Sequence, residues 1–203
     1  RLNRITDVDP INDTMTVEAG CILADIQQAA SNIERYFPLS LGAEGSCQIG
    51  GNLSTNAGGI NVLRYGNARE QVLGLQAVLP DGQIWSDLSE LRKNNTGYDL
   101  RNLLVGSEGT LGIITAAVLK IYPQPRQVET AFVALKDLDS CLELLTAARI
   151  DSGGTLSSFE LIPELGIELA EKYVPGCRNP LSTSSDWHII MVYSSTANGT
   201  DLR

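Results

Sequence analysis

Between Leu41 and Gly59 the chain reads LGAEGSCQIGGNLSTNAGG, and between Gly106 and Thr115 it reads GSEGTLGIIT. Thirteen of the 19 glycines lie from Gly42 to Gly112. An ordered glycine costs conformational entropy, and in return it lets backbone come close to other backbone or to a ligand. Ser46, Asn52, Thr55 and Asn56 stand among these glycines, able to hydrogen-bond the hydroxyls or ring edge of a ligand. For any single Gly-Gly pair, a tight turn between short strands is the simpler reading. Two such segments, both carrying small polar residues, point instead to backbone that lines a polar ligand.

Other chemistries fit less well. Gly106-x-x-Gly109-x-x-Gly112 departs from the Rossmann spacing, and no strand and helix flank it in the required way. The sequence holds no Gly-Lys-Ser/Thr, which excludes the phosphate loop of nucleoside triphosphatases. What remains is a cradle of backbone N–H groups in glycine turns, which needs no dedicated lysine. Ile113 and Ile114 would present strand backbone to a flat heteroaromatic. Cys47, inside the first segment, either touches a cofactor or packs as a small buried thiol. Glu108, in the loop between Gly106 and Gly109, suits a solvated turn or an anchor for nearby N–H groups. His188 alternates with apolar residues in WHIIMVY and reads as a strand histidine on a sheet face rather than a catalytic one. Arg92-Lys93 reads as a solvated hairpin end or as a support for the loop from Asn94 to Tyr98. No Ser/His/Asp set and no close carboxylate pair stands out.

Composition narrows the class. The chain has 203 residues, 43% of them hydrophobic and 19% charged, which is globular. A net charge of −9 with no basic cluster argues against nucleic acid and anionic membrane surfaces as partners. No apolar stretch approaches the roughly 18 residues of a membrane span. Cys21, Cys47, Cys141 and Cys177 are scattered and form no CxxC pair, the pattern of reduced thiols in a cytosol-like compartment. With one histidine, no metal site is expected within the chain. The chain opens at Arg1 without an initiator Met and closes just after a strand-like run, so it is expected to be a central piece of a longer protein.

Elements must position these residues. Thr14 to Glu18 alternates as a strand, and Ile22 to Ile33 has the apolar spacing of a helix. Gly50 to Asn56 is expected to form a helical turn with free N–H groups facing a ligand. Gln71 to Leu79, Pro80-Asp81-Gly82 and Gln83 to Ser86 read as a β-hairpin. Asp99 to Leu104 reads as a short helix capped by Asp99, and Ile113 to Tyr122 as a strand ended by Pro123. Pro125 marks a change of texture and a domain boundary. Beyond it come strand Thr130 to Leu135, helix Leu138 to Ile150 with its apolar stripe at 138, 142, 145 and 148, strand Leu156 to Ile162, helix Pro163 to Tyr173 and strand Trp187 to Tyr193. Helices packed on a sheet are implied, with the element count unfinished.

Taken together, GSCQIGGNLSTNAGG, the Arg64-Tyr65-Gly66 that follows, VLGLQAVLPDG, RKNNTGYDL and GSEGTLGIIT resemble the FAD-linked oxidases of the vanillyl-alcohol oxidase type. Within them the likeness is to the D-2-hydroxyacid dehydrogenases, and it runs from about Leu2 to Asn198. The resemblance implies an α+β fold: residues 1–125 as a two-subdomain FAD-binding domain of the PCMH type lacking its first part, and 126–203 as the start of a ferredoxin-like cap. It implies FAD as cofactor, bound by Ser46, Cys47, Gly50, Gly51, Asn52, Thr55, Asn56, Gly58, Gly59, Glu108, Gly109, Gly112, Ile113 and Ile114. Gly45 to Gly59 would follow the pyrophosphate, ribityl and ring, with Gly109, Gly112 and Ile114 near the adenine. Ser40 and Glu44 depart from the acidic and basic residues expected in close relatives.

The implied reaction is hydride transfer from a D-2-hydroxyacid to FAD, with D-2-hydroxyglutarate as the first candidate and D-lactate or glycolate as alternatives. An electron-transfer flavoprotein or a quinone would take the electrons, and a homodimer is among the expected assemblies. The compartment would be cytoplasm, or mitochondrial matrix in a eukaryote. The first pyrophosphate loop is expected upstream of Arg1. The acid-binding basic residues, the catalytic histidines and any zinc site are expected downstream of Arg203, so no catalytic residue is assigned here and the fragment alone is expected to be inactive. A non-catalytic flavin-binding module is the rival of another class, and a purely structural domain with glycine turns comes last.

Overall fold

The computed structural model describes residues 2–182, 185–197 and 202. The chain divides into two compact units, Arg1–Gln124 and Pro125–Arg203. In chain order the first contains β1 (Ile5–Asp9), β2 (Thr14–Glu18), α1 (Leu23–Ser31), β3 (Arg35–Tyr36), α2 (Ile49–Ser54), α3 (Val62–Tyr65), β4 (Val72–Val78), β5 (Ile84–Asp87), α4 (Leu100–Leu104), β6 (Ile113–Lys120) and β7 (Tyr122–Pro123). A 3-10 turn, Ala68–Gln71, leads into β4.

Five strands form one sheet in the order β1-β2-β6-β4-β5, every neighbouring pair antiparallel. An all-antiparallel sheet has no βαβ crossover, which agrees with the absence of Rossmann spacing. Met15 and Val17 of β2 lie opposite Leu119 and Ala117 of β6, and all four are buried. α1 covers the core with Leu23, Ile26 and Ala30, the i, i+3, i+7 spacing of one helical face. It starts at Leu23 because Ile22 is held in an isolated bridge to Gln48. Phe37, Ile49, Leu53 and Leu75 complete the core; each such side chain contributes about 1.5–3 kcal/mol on burial.

The Pro80-Asp81-Gly82 turn joins β4 to β5 as read from sequence, with Leu79 N donating to Gln83 O at 2.8 Å. Asp99 caps α4, its carboxylate accepting from Asn102 N at 3.1 Å. β3, α3 and β7 were not foreseen; two to four residues are too short to show a period.

The second unit contains β8 (Gln127–Leu135), α5 (Leu138–Asp151), β9 (Leu156–Pro163), α6 (Glu164–Tyr173) and β10 (Trp187–Ser195). β10 lies between β8 and β9, antiparallel to both. The core-facing stripe of α5 is rotated from the expected one. Cys141, Leu144, Leu145 and Ala148 join the core with Ile189 and Met191, while Leu138 and Leu142 are exposed. Cys141 and Ala148, with Leu144 and Leu145 beside them, dock the helix in place of Leu138 and Leu142. His188 is buried in β10, stacked on Phe132 at 5.3 Å, with Nδ1 3.5 Å from Glu164 Oε2. Among the described residues no helix is long and apolar enough to cross a membrane, and none group as metal ligands.

Candidate functional site

A cleft of about 560 Å³ opens at one end of the five-stranded sheet. Its walls come from four places: the turn leaving β2 (Ala19, Gly20), the start of α1 (Ile22, Asp25), α2 and the residue before it (Gln48, Gly50, Gly51, Ser54), and the entry to β6 (Gly112, Ile113, Ile114). Leu2 and Asn3 close it.

Backbone pairing places α2. Leu23 N donates to Cys47 O at 3.0 Å, Ile49 N to Cys21 O at 2.9 Å, and Gly50 N to Ala19 O at 2.8 Å. The free N–H groups expected here are therefore largely used: the strand turn takes two of the first three amides. Gly51 N has no protein acceptor among the described residues. The two glycines differ in another respect. A Cβ on Gly50 would sit 2.6 Å from Ala19 Cβ, whereas one on Gly51 would meet nothing within 4 Å. Gly50 lets the helix seat on the turn, and Gly51 leaves open space on the side that lines the cleft.

The second glycine segment docks on the end of α2. Gly106 N donates to Leu53 O at 3.0 Å and Glu108 N to Ser54 O at 2.9 Å. The second bond satisfies a carbonyl that the helix end would otherwise leave unpaired, while Leu53 O also accepts from Asn56 N at 3.0 Å. The chain then enters β6, where Ile114 is buried and Ile113 exposed.

Five of the fourteen residues expected at the site line the cleft: Gly50, Gly51, Gly112, Ile113 and Ile114. The other nine lie on the same two segments outside its lining, and several spend their polar groups within the protein. Asn52 is buried and donates Nδ2 to Cys47 Sγ at 3.4 Å. Ser46 Oγ donates to Ala43 O at 3.3 Å, and Thr55 Oγ1 to Gly51 O at 3.1 Å. Asn56 Oδ1 accepts from Arg69 N at 3.0 Å. Gly58 and Gly59 follow in the turn after α2, while Glu108 and Gly109 hold left-handed φ of 53° and 78° in the second segment.

Sequence reasoning missed Ala19, Gly20, Ile22, Asp25, Leu2 and Asn3, which carry no motif. Only the strand pairing brings them in. Gln48 and Ser54 were within reach, since both stand inside the first glycine segment.

Among the described residues Asp25 is the only charged side chain of the lining, and no lysine or arginine joins it. Ile22, Ile113 and Ile114 supply apolar surface, and Asn3, Gln48, Ser54 and the Gly51 amide supply polar atoms. This lining suits a flat ring carrying hydroxylated or amide edges, and a ligand's negative charge would be met by backbone N–H groups.

Residues 1–87 match the FAD binding domain family. The match lies wholly within the first unit. The chain is 43% identical to the mitochondrial D-2-hydroxyglutarate dehydrogenase of Arabidopsis thaliana, over 94% of this chain and 34% of that protein. It is 35% identical to the D-2-hydroxyglutarate–pyruvate transhydrogenase DLD3 of Saccharomyces cerevisiae, over 96% and 39%. The chain therefore spans between a third and two-fifths of the length of these curated relatives. In fold it matches alkyldihydroxyacetonephosphate synthase with a TM-score of 0.77 at 20% identity, over 96% of this chain and 38% of that one.

The residues present fit FAD. Gly51 offers an amide and room, Ser54 and Gln48 offer polar side chains, and Ile22 and Ile113 add apolar surface.

Proposed function

We propose that this chain is the flavin-cradling part of a dehydrogenase that oxidises a D-2-hydroxyacid, D-2-hydroxyglutarate first, to the 2-oxoacid. The observation that carries this reading is the glycine-walled cleft on a chain 43% identical to a D-2-hydroxyglutarate dehydrogenase. Bound FAD supplies the two-electron acceptor, the chemistry that side chains lack. Gly50, Gly51, Gly112, Ile113 and Ile114 hold it through close backbone approach. Ser46, Cys47, Asn52, Thr55, Asn56, Gly58, Gly59, Glu108 and Gly109 extend and brace the same two walls. Ile22 and Ile113 would give the bound group apolar contact.

In this reading the second unit begins the ferredoxin-like cap over the substrate. Its alternation of strands and helices and its strand order β8-β10-β9 support that. The groups that bind the acid and take its hydroxyl proton, and any zinc ligands, then belong to parts of the parent protein outside this chain. The electrons go on to an electron-transfer flavoprotein or a quinone, and the parent works as a homodimer. The Arabidopsis relative is named as mitochondrial, and the matrix is the compartment we assign in a eukaryote.

The test is an anaerobic absorbance spectrum of the full-length parent before and after adding D-2-hydroxyglutarate, D-lactate and glycolate. Flavin bands bleached by D-2-hydroxyglutarate alone support the reading. Bleaching by D-lactate or glycolate alone moves the substrate, bands that no acid bleaches favour a non-catalytic flavin module, and a protein that takes up no FAD refutes the site.

A further inference from the structure

We propose that Arg69 is a positioning residue for the cofactor: a clasp that holds the two glycine-rich walls of the cleft together. The proposal rests on the reading that this cleft is the flavin site.

Arg69 lies in the 3-10 turn Ala68–Gln71, half-buried and outside both glycine segments. Its backbone N donates to Asn56 Oδ1 at 3.0 Å, and the neighbouring Ala68 N donates to Ala57 O at 2.8 Å. The turn is thereby fixed to the end of the first segment. The guanidinium reaches the other way. Nη2 donates to Val105 O at 2.6 Å and Nη1 donates to Asn102 O. Both carbonyls lie at the C-terminal end of α4, where helix geometry leaves them without partners and the helix dipole favours a cation.

The second segment begins at the next residue, Gly106, whose N–H goes to Leu53 O at 3.0 Å; Glu108 N goes to Ser54 O at 2.9 Å. Ser54 lines the cleft, and Gly112 lines it six residues further along. One residue, through its backbone N–H on one side and its guanidinium on the other, therefore ties the end of the first wall to the start of the second.

Gly106 provides an independent sign that this corner is built around the guanidinium. Its φ is 82°, and a Cβ there would lie 2.8 Å from Arg69 Nη2 and 3.3 Å from Asn56 Cβ. Only a residue without a side chain leaves the fork its place. A planar fork serves two carbonyls at once, and an ammonium on a flexible stem does not reproduce that geometry.

The experiment measures FAD affinity of the full-length parent, stripped of flavin, by fluorescence quenching, together with its far-UV circular dichroism. Arg69→Ala is expected to raise the Kd by about tenfold or more, since two charge-assisted hydrogen bonds are lost. Arg69→Lys is expected to fall between Ala and wild type. Methylguanidine at millimolar concentration should restore the affinity of Arg69→Ala and leave wild type unchanged, a rescue that general destabilisation would not show. If Arg69→Ala fails to fold, Arg69→Lys carries the test: weakened binding with unaltered circular dichroism supports the clasp. A wild-type Kd in either folded variant overturns it. If the wild-type protein binds no FAD, the reading of the cleft falls, and the clasp falls with it.

Discussion

Gly50 and Gly51 are neighbours in one helix, and their replacement should separate packing from ligand binding. A Cβ at position 50 meets Ala19 Cβ at 2.6 Å and Ala19 O at 3.0 Å. Neither atom is the tip of a flexible side chain, so the helix or the turn must move, at about 1–3 kcal/mol for overpacking of this kind. Helix propensity returns part of this, because alanine is better than glycine by about 1 kcal/mol in a helix interior and by less in the first turn. Gly50→Ala should therefore lower the stability of the flavin-free protein by about 1–2 kcal/mol. Gly51→Ala meets nothing within 4 Å and should raise it by about 0.5 kcal/mol. FAD binding should respond differently. A methyl at position 51 intrudes on the cleft beside the unpaired amide and should weaken binding about tenfold, or about 1.4 kcal/mol, while Gly51→Leu should abolish saturable uptake. Urea midpoints at constant slope report the first quantity and flavin fluorescence quenching the second. Wild-type affinity in Gly51→Leu would refute the placement of the cofactor, and equal destabilisation by the two alanines would refute the packing argument.

Three further outcomes are expected. Glu18, at the end of β2 where the cleft begins, accepts from Arg4 N, Nε and Nη2 at 2.8, 3.1 and 2.7 Å. These bonds hold its carboxyl below the ordinary 4.5; the stabilisation is complete above that pH and is lost as pH falls through the lower folded-state value. Glu18→Gln should flatten the acid limb of the stability curve relative to wild type, and identical limbs in urea titrations from pH 6 downwards would count against the pairing. His188 is buried with neither ring nitrogen hydrogen-bonded among the described residues. His188→Phe should thus be neutral or stabilising by up to about 1 kcal/mol, and a clear loss of stability in urea titrations would count against an unpaired ring. Asp99→Ala removes the cap of α4 and should cost about 1 kcal/mol, most of it recovered in Asp99→Asn, as thermal melts would report.

Much of the architecture was legible because periodicity is a local signal. TMTVE, the spacing of Leu23, Ile26 and Ala30, and the Pro-Asp-Gly turn each specify an element within a few residues. The glycine motifs located two walls of the cleft for the same reason: the cost of ordered glycine falls on the segment that needs it. The third wall was illegible. Ala19, Gly20 and Asp25 become part of the cleft only through the pairing of β2 with β6, about a hundred residues apart in sequence, and no local pattern encodes a partner at that separation. The α5 stripe was misread for a related reason. Leucines at 138 and 142 satisfy the helical period with Leu145 and Ala148 as well as Cys141 and Leu144 do, and the decision between them lies in what the sheet presents.

Strand pairing also explains why the two glycine segments meet at all. β6 runs between β2 and β4, antiparallel to both, so its first residues arrive beside the last residues of β2. Glu18 pairs with Ala116, and Ala19 N donates to Thr115 O at 2.9 Å. α2 is then seated on the same turn through Gly50 N and Ala19 O. The cleft is thus a junction of strand ends at one end of the sheet, and its walls are spaced by the register of the sheet. That register is set in the core. Met15 and Val17 face Leu119 and Ala117, and a slip of one residue would turn every one of these side chains to the opposite face. The accuracy of the site is therefore inherited from buried apolar pairs that touch no ligand, and the glycine loops need only span the distance that those pairs fix.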